Sequence, residues 1–206
     1  MGHYFTDDDS LKKEINKLTY HFAGVDYSFM TGAGVFSKNR VDPASEILIK
    51  TVPALSGSLL DMGCGYGCIG IVLAKTYALR LTLADVNPRA ARFAALNSEA
   101  NGVVSDVVVS NRFDAVTGRF DTIVINPPIH AGKAATYGMY EDSLPRLGEG
   151  GRLFVVTLKK HGAESTRDKL ADVFGNCATL YRKKGCFVFC CEKTGGTSGR
   201  FPGGRD

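Results

Sequence analysis

The stretch Leu59-Leu60-Asp61-Met62-Gly63-Cys64-Gly65-Tyr66-Gly67, continued by Cys68-Ile69-Gly70-Ile71-Val72-Leu73-Ala74, decides the fold. It reads as a buried strand, a tight glycine turn and a helix. Glycine lets a backbone take positive φ and approach a ligand closely. The helix start adds free N–H groups and the positive end of a dipole. A second apolar run, Leu81-Thr82-Leu83-Ala84, ends in Asp85, about 20 residues past the glycines, where a carboxylate suits ribose hydroxyls. The same Asp85 also stands where it could cap a helix starting near Pro88. Gly65, Gly67 and Gly70 match the spacing of a dinucleotide turn, but counted from Gly63 the third position is Cys68. Asp61, two residues before the first glycine, is unusual beside a pyrophosphate. It suits a cationic or amine-bearing ligand, or a helix cap.

Outward from this unit the pattern alternates. Strands are expected at 58–62, 80–85, 105–110, 119–125, 151–157, 177–181 and 186–192, and helices at 67–76, 88–100, 135–146 and 162–174. Alternation of this kind makes a parallel sheet with helices on both faces, an α/β fold. Only Arg182-Lys183-Lys184-Gly185 separates the last two strands, so they form an antiparallel hairpin. Before the core, Tyr20, Phe22, Val25, Tyr27 and Phe29 alternate around Ala23-Gly24, a hairpin signal. Thr31-Gly32-Ala33-Gly34 leads to Val35-Phe36, and Asp42-Pro43 opens a helix through Ile49. Ser10 reads as the start of a short helix, and the glycine-rich tail 194–206 is expected to be disordered. Residues 1–193 are read as a single domain, with 18–37 a hairpin and loop over the site and 58–193 the core.

The apolar run Phe120–Ile125 closes on Asn126-Pro127-Pro128. Asn-Pro often only punctuates a chain. Its chemical reading is more specific. The Asn side-chain carbonyl and the next backbone carbonyl set two acceptors side by side, on a turn stiffened by prolines that carry no N–H. Two such acceptors can hold both N–H bonds of a planar amine and turn its lone pair toward an electrophile, so orientation carries the catalysis.

Composition is that of an ordinary globular protein: 206 residues, 44% hydrophobic, 22% charged, net charge +4. No apolar run approaches a membrane span and no signal peptide opens the chain, so a cytoplasmic protein is expected. Cys64, Cys68, Cys177, Cys186, Cys190 and Cys191 contain no C-x-x-C pair, and are read as reduced small hydrophobes with no structural metal.

Together these segments resemble the class I S-adenosylmethionine-dependent methyltransferases, and within them the "methyltransferase small" family, which includes small-subunit ribosomal RNA guanine-N2 methyltransferases. The resemblance covers roughly residues 17 to 193 and rests on Gly34-Val35-Phe36-Ser37, Asp61 to Gly67, Asp85, and Asn126-Pro127-Pro128-Ile129-His130. It implies a Rossmann-like seven-stranded, mostly parallel sheet with an antiparallel last strand, preceded by an N-terminal hairpin. Some relatives carry an extra N-terminal copy of the domain, which is not expected here. S-adenosylmethionine is the implied cofactor, lined by Phe36, Asp61, Gly63, Cys64, Gly65, Gly67, Asp85, Val86, Asn111 and Asn126. Asn126, Pro127 and Pro128 are the implied catalytic turn. In the family an aromatic residue usually follows the two prolines; here it is Ile129, which reduces stacking on a base.

Substrate contacts are expected from Ile129, His130, Lys133, Lys159, Lys183 and Lys184. The basic runs Lys159-Lys160 and Arg182-Lys183-Lys184 follow strand ends on the cofactor edge, and Lys38, Arg40 and Lys133 come from nearby loops, as phosphate binding requires. The leading expectation is therefore an RNA base N-methyltransferase, with guanine N2 of ribosomal RNA taken from the resemblance. Methylation of a glutamine amide in a protein, of DNA adenine, or of a small molecule are the other enzyme readings. A non-catalytic RNA-binding module is the remaining one.

Overall fold

The computed structural model describes residues 15–32, 40–128 and 132–195. The expected helix start at Ser10, Phe36, Lys38, Ile129, His130 and the tail from 196 lie outside the described residues. The chain opens with β1 (Ile15–Phe22) and β2 (Val25–Gly32), paired antiparallel from Ile15↔Gly32 to Phe22↔Val25. Ala23 at φ 50° and Gly24 at φ 77° supply the two left-handed residues of a tight reversal. Helix α1 (Pro43–Thr51) follows, with Pro43 in its first turn and Asp42 as its cap.

The alternating part then builds one sheet. Its strands are β3 (Ser58–Met62), β4 (Arg80–Asp85), β5 (Ser105–Val109), β6 (Phe120–Ile125), β7 (Leu147–Leu158), β8 (Ala178–Lys183) and β9 (Cys186–Glu192). Between them run α2 (Cys68–Tyr77), α3 (Pro88–Ala100), α4 (Gly132–Arg146) and α5 (Ala163–Phe174). The order is β5-β4-β3-β6-β7-β9-β8. Strands β3 to β7 are parallel, and β9 is antiparallel to both its neighbours. The final strand is thus inserted between β7 and β8. Lys184 at φ 49° and Gly185 at φ 73° make the reversal that lets it turn back inward. Strand order reverses between β3 and β6, so their carboxyl ends flank the crevice where such sheets bind ligands.

Alternation along the strands sorts the core into two faces. Leu59, Leu81, Leu83, Val124, Phe154 and Val188 pack beneath α1, α2, α3 and the hairpin. Leu60, Ile123, Ile125, Val155 and Phe189 pack beneath α4 and α5. Three boundaries differ most from expectation: α4 begins at Gly132 instead of 135, β8 runs on to Lys183 so that Lys184-Gly185 alone make the turn expected at 182–185, and the third is the start of β7. β7 begins at Leu147, at the end of α4, because Phe120 pairs with Leu147 and the next pair is Thr122↔Arg152. The intervening Gly148-Glu149-Gly150-Gly151 bulges tightly: a Cβ at Gly151 would lie 2.8 Å from the Gly148 oxygen and 3.0 Å from that of Phe120. Only glycine fits there.

The hairpin is docked by two asparagines one turn apart at the end of α3. Asn97 accepts from Met30 N at 2.7 Å and donates to Met30 O and Tyr66 O, each at 2.8 Å. Asn101 repeats the pattern two residues along β2, accepting from Ser28 N at 3.1 Å and donating to Ser28 O at 2.8 Å. These side chains imitate a neighbouring strand and satisfy the free edge of β2. Asn97 is fully buried, and through Tyr66 it also holds the glycine turn. Asn97→Ala leaves three backbone groups without partners and is expected to lower unfolding free energy by about 3 kcal/mol in urea titrations, with no rescue by Asn97→Leu.

Candidate active site

The glycine turn is fixed at both ends. Gly63 N and Cys64 N donate to Ala84 O on β4 at 2.8 and 3.0 Å, and Gly67 N donates to Cys64 O at 2.9 Å. Gly65 and Gly67 have φ of 58° and 89°, the left-handed region. Around a Cβ at Gly65 nothing lies within 4 Å, so this glycine serves backbone conformation and leaves open space above the turn. Gly70 serves proximity instead. A Cβ there would lie 2.6 Å from Leu83 Cδ2 and 3.0 Å from Asp61 Cβ, so its absence lets α2 sit directly on β3 and β4.

That closeness lets Asp61, on β3, act on the start of α2. Its Oδ2 accepts from Gly70 N at 2.8 Å, a helix cap supplied from a neighbouring strand. The residue is 1% exposed and its Oδ1 has no hydrogen-bond partner. Burial raises its pKa to about 7, against the pull of the Gly70 N–H and with a further push from Asp85.

Asp85 does not cap α3. Asn87 does, with its side chain accepting from Arg89 N at 3.0 Å. Asp85 instead joins strand ends: Oδ2 accepts from Gly65 N at 2.8 Å and Oδ1 from Asn87 N at 2.9 Å. Its backbone oxygen accepts from Ser110 N at 2.9 Å. The carboxyl ends of β3, β4 and β5 are thereby tied together. Val86 projects beside them, 64% exposed. Asn111, in the next turn, donates through Nδ2 to Asp114 at 3.2 Å. Cys64 is buried within the turn, and burial pushes its thiol pKa up. All six cysteines are free thiols.

Asn126 stands at the carboxyl end of β6, across the crevice from the glycine turn. Its Nδ2 donates to Asp42 Oδ2 at 3.1 Å and to Ser45 Oγ at 2.9 Å, both at the start of α1. Beside it opens a cavity of about 470 Å³, lined in part by Asn126, Pro127, Pro128, Tyr137, Lys133 and Lys160. His161 also lines it. The glycine turn, Asp61 and Asp85 are not part of this cavity; they lie on the other side of Asn126.

Sequence-expected residues therefore fall into three groups. Asp61, Gly63, Cys64, Gly65, Gly67, Asp85, Val86 and Asn111 share the edge at β3, β4 and β5. Asn126, Pro127, Pro128 and Lys133 share the cavity. Lys159, Lys183 and Lys184 stay outside it, on the rim where Lys159 N donates to Gly185 O at 2.7 Å. Sequence reasoning missed His161 and Tyr137 in the cavity wall and Ser45 behind Asn126. Asp42-Pro43 was readable as a helix start, but nothing local announces that its cap also reaches residue 126.

The chain matches the family described as Methyltransferase small domain over residues 26–190. It belongs to that family. These are S-adenosylmethionine-dependent methyltransferases. Among relatives, the chain is 35% identical over 197 residues to the uncharacterized protein YbxB of Bacillus subtilis, covering 93% of this chain and 98% of that one. It is 39% identical over 137 residues to the ribosomal RNA small subunit methyltransferase C of Serratia proteamaculans, covering 64% of this chain and 40% of that protein. Among solved structures it resembles the T. thermophilus 16S rRNA N2 methyltransferase in complex with AdoMet and guanosine, with a TM-score of 0.78 and 27% identity, over 88% of this chain and 51% of that one. The chain thus spans about half or less of the named ribosomal RNA methyltransferases.

Asp61 gives this family member a pH signature. In the unfolded chain it releases its proton near the ordinary carboxylate value of 3.8, but in the folded chain only near 7. Between those pH values the folded state binds more protons, so stability falls as pH rises, and levels off above about 7. Urea titrations from pH 4.5 to 8 should show wild type losing on the order of a few kcal/mol relative to Asp61→Asn, in which the slope is absent. Parallel curves for the two proteins would contradict this.

Proposed function

We propose that this protein is an S-adenosylmethionine-dependent N-methyltransferase acting on an exocyclic amine of an RNA base, with guanine N2 in small-subunit ribosomal RNA as the target. The observation that carries the reading is the state of Asn126. Both its N–H bonds are committed to Asp42 and Ser45, so Oδ1 is the polar atom that remains, on a residue lining the cavity. Oδ1 and the Pro127 carbonyl then receive the two N–H bonds of a planar amine. This turns the nitrogen lone pair toward the glycine turn, and the same acceptors stabilise positive charge as it develops on that nitrogen.

The cofactor's sulfonium supplies the electrophilic methyl group. The residues present fit its methionine end. Asp61 Oδ1, buried and without a partner, is an acceptor for an ammonium, and the open space above Gly65 admits a ligand against the backbone. Asp85 keeps free lone pairs for ribose hydroxyls, Val86 presents an apolar face to the adenine, and Asn111 Oδ1 accepts from its amine.

RNA is favoured over a protein glutamine by the charges beside the cavity. Lys133, Lys159, Lys160, Lys183 and Lys184 form no ion pair among the described residues, whereas Lys50, Arg112, Lys169 and Lys193 elsewhere each face a carboxylate. The unpaired cations lie together along one edge, as a phosphate backbone requires. The guanine-N2 part of the reading is supported by the likeness to the T. thermophilus 16S rRNA N2 methyltransferase, and its ribosomal RNA part also by the Serratia relative.

Labelled S-adenosylmethionine, offered with ribosomal subunits, stripped ribosomal RNA, transfer RNA and total protein from cells lacking the enzyme, should label RNA. Digestion should then yield N2-methylguanosine. Label confined to protein would overturn the proposal in favour of a glutamine amide. Asn126→Ala should cut methyl transfer by roughly 100- to 1,000-fold with cofactor affinity nearly unchanged. Replacing Lys183 and Lys184 with Ala should weaken RNA binding and flatten its dependence on salt by up to about 0.7–0.9 in log–log slope per lost phosphate contact.

A further inference from the structure

We infer that Asp42 and Ser45 are positioning residues that lock the Asn126 amide with its oxygen toward the substrate, so that the site receives only a hydrogen-bond donor. The inference deepens the proposed function and takes the identity of the target amine from it. An asparagine amide has two ends of nearly equal size, and a half-turn about its last bond exchanges them. With NH₂ outward, Asn126 would set donors against the N–H bonds of its target, and the turn would hold a carbonyl or ring nitrogen instead. The local sequence does not decide between these states; the first turn of α1 does.

An ionised Asp42 carboxylate can only accept. Its Oδ2 lies 3.1 Å from Asn126 Nδ2, and it also accepts from Ser45 N at 2.9 Å and from Ser45 Oγ at 3.3 Å. Ser45 thereby directs its hydroxyl proton to Asp42, which leaves its oxygen to accept from Asn126 Nδ2 at 2.9 Å. Every proton in the network has one direction, toward Asp42 either directly or through the Ser45 hydroxyl. Turning the Asn126 amide over would bring its oxygen against a carboxylate and a lone pair, losing two bonds and adding repulsion. Asp42 cannot yield, because it is the cap of α1 and is followed by Pro43 in the first turn. The bond to an ionised acceptor also draws charge through the amide onto Oδ1, which strengthens it as an acceptor while the target nitrogen becomes positive.

Asp42→Asn separates this role from capping. An asparagine caps a helix as well as an aspartate, so the melting temperature should hold. But the amide introduced by that substitution can offer either a donor or an acceptor, and the direction of the network is lost. The expected result is a kcat for methyl transfer roughly 10- to 100-fold lower, with cofactor affinity within about twofold of wild type. In an Asn126→Ala background the same substitution should cost nothing more, because Asp42 acts through Asn126. Ser45→Ala should give a smaller loss that Ser45→Thr restores. A second readout needs no substrate: in ¹⁵N-resolved NMR the Asn126 side-chain NH₂ pair should be shifted and slow to exchange in the wild type, and should move toward free-amide values in Asp42→Asn. A wild-type kcat in Asp42→Asn, an equal loss in the Asn126→Ala background, or an NH₂ pair unmoved by the substitution would each overturn the inference. If the wild type methylates no substrate offered, the proposed function fails, and the NMR comparison still decides whether Asp42 locks the amide.

Discussion

The hydrogen bond from Gly70 N to the buried Asp61 carboxylate, 2.8 Å long, is the contact on which the crevice depends. It pins the start of α2 to β3 in the interior of the sheet, and the missing side chain at Gly70 permits the approach. Once α2 is seated, the residues between strand and helix have too little length to do anything but turn sharply, and the left-handed glycines absorb that turn. Asp85 then holds the turn from β4 through Gly65. The price of this arrangement is a carboxylate out of water with one oxygen unsatisfied. Such an arrangement is unfavourable in isolation and becomes favourable when a cation reaches that oxygen. An incompletely satisfied group at a sheet's switch point is what a ligand site in this fold requires.

The second half of the crevice follows the same rule from the other side. β6 ends in a turn whose prolines carry no N–H, and α1 supplies the acceptors that hold Asn126. Each half thus pairs a strand end with the first turn of a helix on the same face of the sheet. In both, a carboxylate accepts the amide protons. Asp61 takes one from a helix backbone, and Asp42 takes one from its own helix and one from Asn126. Helix N-termini and side-chain amides are the donors, so the groups left facing the crevice from these two pairs are acceptors, suited to an ammonium and an amine.

Much of this was legible in the sequence where the relevant residues are neighbours. The strand–glycine–helix unit, both hairpin turns, and Asn126-Pro127-Pro128 are local signals, and their elements formed where expected within a few residues. What escaped reading spans the chain. Asn97 and Asn101 look like polar positions on an exposed helix face, yet both are buried and serve the edge of β2 about 70 residues away. Asp42-Pro43 reads as an ordinary helix start, yet Asp42 and Ser45 hold a side chain more than 80 residues later. The bulge at the start of β7 was missed because a glycine-rich run resembles a loop, although here it remains part of a strand. Side-chain to backbone bonds between distant elements leave no periodicity, so no pattern in one sequence reports them.

Charge is arranged across the crevice in a way that a two-ligand reaction would exploit. The carboxylates Asp61 and Asp85 lie on the side of β3 and β4, and the unpaired lysines lie on the side of β7, β8 and β9. In the proposed reaction a cationic donor and a polyanionic acceptor meet at Asn126, between the two. Mixing the charges would cost both ligands: lysines above the glycine turn would repel a sulfonium, and carboxylates along the rim would repel phosphates. Separation also explains why the rim lysines are left without acidic partners among the described residues. An exposed ion pair contributes little to stability, so leaving these cations unpaired costs the fold almost nothing, whereas each cation that meets a phosphate releases counterions.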